Sequence, residues 1–509
     1  MNIAKTYSAQ LVGLHSQPVI IEVDISHGLH AFSIVGLGDR SVDEAKDRIS
    51  AAIKNSGYTS PKQKNQKVVI SLAPAHVRKE GSAFDVAMAL AYLQASGDID
   101  FESERSLFLG ELSLDGHIRK INGVVPIACQ AARQGFTALF VPQENIAEAV
   151  LARDITVYGI SSLREIISHL QRQTHLTPAR LDIHETPPPP TTEHDIAHIR
   201  GNETAKRGLE IAAAGGHNSI LYGPPGTGKT MLARSFHSLL PDLSYEHSIE
   251  VTSIHSAAHM PIHGLARRPP LRSPHHTASY ASIVGGGNTP RPGEITLAHR
   301  GVLFMDEFPE FDHHVIEAMR QPLEDREITI SRAHSSVTFP AQCILIGSMN
   351  PCPCGLGRDA GCTCPEHIIR NYRRRLSQPI MDRIDIWIPV TKIDYARLSS
   401  ITHVSETSAA IRERVHEARR RQAQRCAAHG ISRSCNSELG ARDLDVCINM
   451  SDRARSTLRS SAERLGLSGR AFHRIIKVAQ TITDLCGREH IDSDDILEAI
   501  QYRSSLYDL

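Results

Sequence analysis

The run Gly223-Pro224-Pro225-Gly226-Thr227-Gly228-Lys229-Thr230 constrains this chain more than any other segment. It fits the pattern G-x-x-x-x-G-K-[ST] at every fixed position. The residues before it, Ser219-Ile220-Leu221-Tyr222, read as a short buried strand, and Met231 to Leu240 has helical spacing. Strand, glycine-rich turn and helix in that order require an α/β architecture. The glycines let backbone N–H groups close around phosphate oxygens, and the helix N-terminus adds positive potential. The expected nucleotide-binding set is therefore Gly223, Pro224, Pro225, Gly226, Thr227, Gly228, Lys229, Thr230 and Met231, with ATP and Mg²⁺ as cofactors. Lys229 is expected to reach the β- and γ-phosphates and Thr230 to hold Mg²⁺.

Composition sets the frame around this motif. A chain of 509 residues is too long for one ordinary core, so two to four domains are expected. Apolar content of 41% and charged content of 22% match a globular protein. No apolar run reaches the ~18 residues of a membrane span. The N-terminal segment lacks a signal-peptide core, so the expected location is the cytoplasm, without a membrane partner. Lys+Arg and Asp+Glu are 56 each, so any nucleic-acid surface must be a local patch. Ten cysteines in such a chain point to reduced thiols or metal binding, not to a disulfide framework.

Residues 1–172 read as one α/β domain, with strands at Val19 to Val23 and Lys67 to Leu72 and helices at Ser41 to Ser56 and Ser82 to Ala95. Residues 173–194 form a proline-rich linker containing Pro187 to Pro190, a run that favours extended backbone. The nucleotide-binding core follows at 195–392, and 393–509 is helical.

Further elements narrow the chemistry. Gly301 to Glu307 is an apolar strand ending in Asp306-Glu307. Asp306 at the strand end is positioned to support the Mg²⁺ shell, and Glu307 to polarise the attacking water. A third strand, Cys343 to Met349, ends at Asn350, which suits a sensor of the γ-phosphate. Arg383, before an apolar strand, occupies the position from which ring ATPases deliver a guanidinium to the neighbour's γ-phosphate. Arg470 is the candidate sensor in cis, with Arg474, one turn later, as the competing choice.

Cys352, Cys354, Cys362 and Cys364 place four thiols within 13 residues, a set suited to structural Zn²⁺, with an iron–sulfur site and free thiols as alternatives. Arg412, Arg414, Arg419, Arg420, Arg421 and Arg425 share one helix, either as phosphate contacts or as a lid helix packed on a neighbour. Lys62, Lys64 and Lys67 form a second basic candidate.

These residues carry a resemblance. Arg272 to Thr277, Gly285 to Ile295, Met305 to Phe311 and Met349 to Gly355 resemble AAA+ ATPases of the magnesium-chelatase-like branch, and within it the ComM (YifB) family. The resemblance covers essentially the whole chain. It implies an ATP-driven homohexameric ring acting on single-stranded and branched DNA. The activity implied is branch migration, integrating incoming strands by homologous recombination during natural transformation beside a RecA-type filament. It assigns Asp306 and Glu307 to Walker B, Asn350 to sensor 1 and Arg383 to the finger in trans. It also implies a helix-2 insert from about His255 to Pro292 and a hairpin from Ile328 to Phe339 pointing into the pore. Arg332 and His334 on that hairpin are DNA contacts or a solvated turn.

The N-terminal domain resembles the Lon-protease (ribosomal S5 domain 2-like) fold, and the C-terminal region the AAA+ helical lid. Lys79 to Asp85 matches the segment of the Lon nucleophile, yet the nucleophile position holds Ala83 and the catalytic lysine position holds Val125. A Ser–Lys dyad needs both a hydroxyl and an amine. Ser82 would supply the hydroxyl after a one-residue shift, but the same shift does not supply the lysine. The domain is thus expected to be catalytically inert, and to bind DNA or help assemble the ring as a similar domain of RadA does. The alternatives to a DNA motor are the ATPase subunit of a magnesium chelatase and an ATP-dependent protease or its adaptor.

Overall fold

Val302–Met305, Ile386–Pro389 and the strand Ser219–Tyr222 are short apolar runs without polar alternation, the pattern of strands covered on both faces. They build a five-stranded sheet in the order Leu271–Arg272, Val302–Met305, Ile344–Met349, Ser219–Tyr222, Ile386–Pro389, and every neighbouring pair is parallel. Chain order reverses around Ser219–Tyr222, so the crevice beyond its carboxyl end is where such a sheet accepts ligands. The computed structural model describes residues 3–180, 194–262, 264–287, 290–332, 335–357, 361–392 and 406–503. The Pro187–Pro190 linker and His334 lie outside the described residues, as does the side chain of Arg332. No helix among the described residues is long and apolar enough to cross a membrane.

The chain divides into two compact units, Met1–Pro188 with Ser248–Ala266, and Pro189–His247 with Arg267–Leu509. In the first, Ala4–Val12, His15–His27, Gln66–Ala73 and Ala31–Val35 form a sheet in that order, antiparallel except for the last pair. Helix Arg40–Asn55 begins where the Asp39 carboxylate accepts the Val42 amide, and it buries Val42, Ala45, Ile49, Ala52 and Ile53 along one stripe. Helix Asp85–Ala95 is apolar all round and fully buried through Leu93. It starts at Asp85 instead of Ser82 because the backbone before it is tied to Gly110: the Gly110 amide donates to the Ala83 carbonyl, and the Val86 amide to the Gly110 carbonyl. A second, parallel sheet joins Ser106–Phe108, Ala138–Pro142 and Thr156–Ile160.

Ser248–Ala266 counts with this first unit although the sequence reads 195–392 as one core. The buried Ser256 hydroxyl donates to Glu148 at 3.0 Å, a polar contact invisible to hydrophobic patterning.

In the second unit, helix Ser408–Ala428 lies on helix Glu203–Gly215. Arg419 donates twice to the Ala213 carbonyl, Arg414 pairs with Glu210 at 2.7 Å, and Arg425 makes two bonds to Asp484. Arg420 and Arg421 pair with Glu417. Arg414, Arg419 and Arg425 are therefore engaged within their own unit, whereas the pairs that Arg420 and Arg421 make with Glu417 face solvent. The hairpin Glu327–Arg332 and Ser335–Pro340 is antiparallel and closes at the Arg332–Ser335 pair.

Candidate nucleotide site

The glycine-rich turn leaves the central strand Ser219–Tyr222 and enters helix Lys229–Leu239. Its glycines serve two different needs. A Cβ on Gly223 would sit 2.0 Å from the Val390 carbonyl oxygen, so close approach to the neighbouring strand excludes any side chain. Gly226 and Gly228 face open space but adopt φ of +74° and +88°, which only glycine takes without strain. The turn is thus shaped by its backbone, with room left where a phosphate would sit. Thr227 closes it by donating to the Pro224 carbonyl at 2.9 Å, and Met231 on the first helical turn is exposed.

Lys229 Nζ donates to the carbonyls of Gly223 (2.7 Å) and Pro224 (2.8 Å) and to Asn350 Oδ1 (3.1 Å). Burial pushes its pKa down, against the attraction of Asp306 and Glu307. The Thr230 hydroxyl donates to Asp306 Oδ2 at 3.0 Å. A hydroxyl and a carboxylate converging at that distance are the oxygen donors a Mg²⁺ ion takes alongside phosphates and water, so the residues fit this ion. Asp306 Oδ1 accepts from Ser348 Oγ, and the Glu307 amide donates to both Asp306 Oδ1 and Ser348 Oγ.

Glu307 sits at φ +53°, in the left-handed region. The carboxylate is 57% exposed and lies 3.6 Å from His276 Nδ1. Lys229, Thr230, Asp306 and Asn350 therefore meet at the carboxyl edge of the sheet, with Glu307 beside them and open to water. Such a group can hold a nucleoside triphosphate and present a base to an attacking water. Ser348 and His276 were not singled out from sequence. Ser348 carries a local signal, two residues before Asn350, and His276 belongs to the quoted segment Arg272 to Thr277.

Arg383 and Arg470 are elsewhere. Both guanidinium groups face Glu324. They line a cavity of about 970 Å³ with Gly301 and Ile344, at the amino ends of the strands whose carboxyl ends lead to Asp306 and Asn350. Arg470 thus accompanies Arg383, not Lys229 of its own chain, because helix Gly469–Leu485 begins on that side of the sheet. Arg383 also donates to the Pro379 carbonyl, while its buried Nε has no partner among the described residues. Arg474 is committed to Asp385. Burial raises the Asp385 carboxyl, but Arg474 and His217 outweigh it and hold the group well below the usual carboxylate range.

The four cysteines converge. Sγ atoms of Cys352, Cys354 and Cys362 are 3.3 to 3.4 Å apart, and all four sulfurs lie within 4.8 Å of one another. These separations exceed an S–S bond of about 2.05 Å and approach the ~3.8 Å edge of a tetrahedron with Zn–S arms of about 2.3 Å. Amides of Gly357 and Cys364 donate to the sulfurs of Cys352 and Cys362. The Leu356 amide, with the neighbouring thiols, lowers Cys354 to about 6. A tetrathiolate metal site fits these residues.

In the first unit, Val125 is fully buried and Ser82 donates to Glu111. Lys79 is buried, and its ammonium donates to the Pro74 carbonyl.

Comparison with known proteins adds identity to this geometry. Sequence profiles described as magnesium chelatase subunit ChlI match residues 21–145 and 195–398, and one described as the ChlI C-terminal part matches 405–503. The chain is 38% identical to Competence protein ComM of Haemophilus influenzae, covering 99% of this chain and 98% of that one. It is 39% identical to the protein YifB of Salmonella typhimurium, covering 99% and 97%. A shorter stretch of 91 residues is 31% identical to DNA repair protein RadA of Streptococcus pneumoniae, covering 18% of this chain and 21% of RadA. The full-length identity and the three profile matches agree, and the chain belongs to the magnesium-chelatase-like ComM family.

Proposed function

We propose that this protein is an ATP-driven homohexameric DNA motor that promotes branch migration as single strands are integrated by homologous recombination in natural transformation. The observation that carries the ATPase half is the convergence of Lys229, Thr230, Asp306 and Asn350 beside the exposed Glu307. The DNA half is supported by the identity to a competence protein and the local match to a DNA repair protein.

In this mechanism the phosphates of ATP displace the Gly223 and Pro224 carbonyls from the Lys229 ammonium. Thr230 and Asp306 would hold Mg²⁺, which when bound neutralises charge on the transferred phosphoryl group. Glu307 polarises the attacking water, and Asn350, already on Lys229, orients it against the γ-phosphate. Arg383 completes the site of the next subunit, and Arg470, sharing Glu324 with it, acts beside it in trans instead of as a sensor in cis. Residues 1–172 are a Lon-like domain without peptidase activity, 173–194 the linker, 195–392 the AAA+ core and 393–509 the lid. The four cysteines hold structural zinc. The hairpin from Ile328 to Phe339 tracks DNA through the ring pore, and a RecA-type filament supplies the strand exchanged, in the cytoplasm.

The test is ATP turnover measured together with strand displacement on branched and linear DNA. The expected result is turnover stimulated by DNA and displacement on branched substrates. Turnover indifferent to DNA would overturn the motor and favour the second reading, a magnesium-chelatase ATPase subunit, which the profile descriptions support. Glu307→Gln should retain nucleotide binding and lose about a hundredfold or more in turnover, read by steady-state phosphate release.

A further inference from the structure

We propose that a zinc ion held by Cys352, Cys354, Cys362 and Cys364 governs ATP affinity by bracing the phosphate loop. The proposal rests on the nucleotide-site reading above and adds a metal-dependent control to it. Three contacts tie the cysteine loop to that site. Its start is Asn350, two residues before Cys352, whose Oδ1 accepts the Lys229 ammonium at 3.1 Å. Its tip is Gly355, whose Cβ position lies 2.8 Å from Pro225 of the phosphate loop. The backbone there has φ of +82°, so both space and conformation demand glycine, and loop and turn meet without a side chain between them. Its end leads into helix Glu366–Arg374, from which the buried Tyr372 takes a hydrogen bond from the Asn350 backbone.

The cysteine loop therefore leaves the nucleotide site, touches it at its tip and returns to it. Among the described residues of the loop, Leu356 is exposed, Cys352 is buried, Cys354 is exposed and Cys362 and Cys364 are partly so. A loop this polar keeps one conformation when its thiolates share an ion, and backbone amides already point at two of the sulfurs. Without the ion the four sulfurs repel or protonate and the loop gains conformations. Gly355 then ceases to press on Pro225, and Asn350 ceases to locate Lys229. The phosphate loop would have to be ordered by the nucleotide itself, which weakens binding.

The experiment uses full-length protein. Zinc content is measured by elemental analysis, and affinity for a fluorescent ATP analogue is measured in excess Mg²⁺ before and after zinc removal with a zinc-selective chelator. The expected result is about one zinc per chain and nucleotide binding about tenfold weaker after removal, restored when zinc is returned. Far-UV circular dichroism should not change. Gly355→Ala leaves all four thiols, so it should keep zinc and still weaken the nucleotide by a similar factor. Unchanged affinity in the zinc-free protein, or a protein that neither contains zinc nor takes it up, overturns the proposal. Zinc-loaded protein that binds no nucleotide at all refutes the nucleotide site itself, which separates the two failures.

Discussion

Two glycine-containing turns in this molecule lead into helices and carry a lysine, buried at Lys79 and partly buried at Lys229, and they differ in what their polar groups face. In the first unit, Lys79-Glu80-Gly81-Ser82 runs toward helix Asp85–Ala95. In the second, Gly223 to Gly228 runs into helix Lys229–Leu239. Burial lowers both ammonium groups. Around Lys79 the polar groups are paired inward: Ser82 on Glu111, Asp85 on Arg48 at 2.7 Å and on the Leu112 amide, Lys79 on Pro74. Around Lys229 the donors converge on a turn with open space at Gly226 and Gly228, and Glu307 stays in water. The first arrangement is consistent with a turn that has become part of a core. The second pairs its polar groups with one another beside open space, so a charged ligand can take over those hydrogen bonds, as the Lys229 bonds to the Gly223 and Pro224 carbonyls show.

Breaking the second site should have the largest effect. Arg383→Ala is expected to reduce ATP turnover by about a thousandfold, the scale of an arginine finger. Mixing it with Glu307→Gln should restore part of the turnover, since some interfaces then combine an intact base with an intact finger. No recovery in mixed rings would place Arg383 outside the neighbour's site.

Breaking the first turn should cost stability and leave nucleotide affinity alone. Arg48→Ala strands the buried Asp85, at a cost of about 3 kcal/mol in urea unfolding. A pH effect of smaller size sharpens the same point. Burial raises Asp85 to about 6, and Arg48 and the Leu112 amide only partly oppose it. A folded-state pKa raised above the unfolded value favours the protonated acid in the fold. The stability contributed is therefore full below about pH 4 and is lost as pH rises through about 6, by roughly 1.4 kcal/mol for each pH step of one across that window. Wild type minus Asp85→Asn, compared by denaturation at pH 4 and pH 7, should fall over the same range. A flat difference would mean that Asp85 is charged throughout.

The smallest effect belongs to Ser82→Ala. It removes one hydroxyl bonded to Glu111 and should change stability by about 1 kcal/mol or less, with ATP turnover unaltered. Peptidase activity in the wild type that this substitution abolished would revive a proteolytic role for the first unit.

How much of this was legible in the sequence differs from residue to residue. The geometry around Lys229, Thr230, Asp306 and Asn350 follows from strands of obvious apolar character, each ending in a marked residue. Parallel pairing brings such ends to one edge. Ser348 has only its place two residues before Asn350 to mark it, and its bond to Asp306 joins two strands distant in sequence. The pairing of Arg414 and Arg425 was not legible because their acids, Glu210 and Asp484, are distant in sequence. Ser248–Ala266 left the expected core through contacts such as Ser256 to Glu148.

The sequence by itself determined the kind of chemistry. Backbone conformation at Gly226 and Gly228, the apolar strands and the four clustered thiols are local properties, encoded by a few adjacent residues. Only the tertiary structure decided which arginines work together and what the cysteines touch. Arg470 joins Arg383 at Glu324, and Gly355 meets Pro225, across separations of many residues. Such contacts depend on how whole elements pack, and no local pattern carries that information.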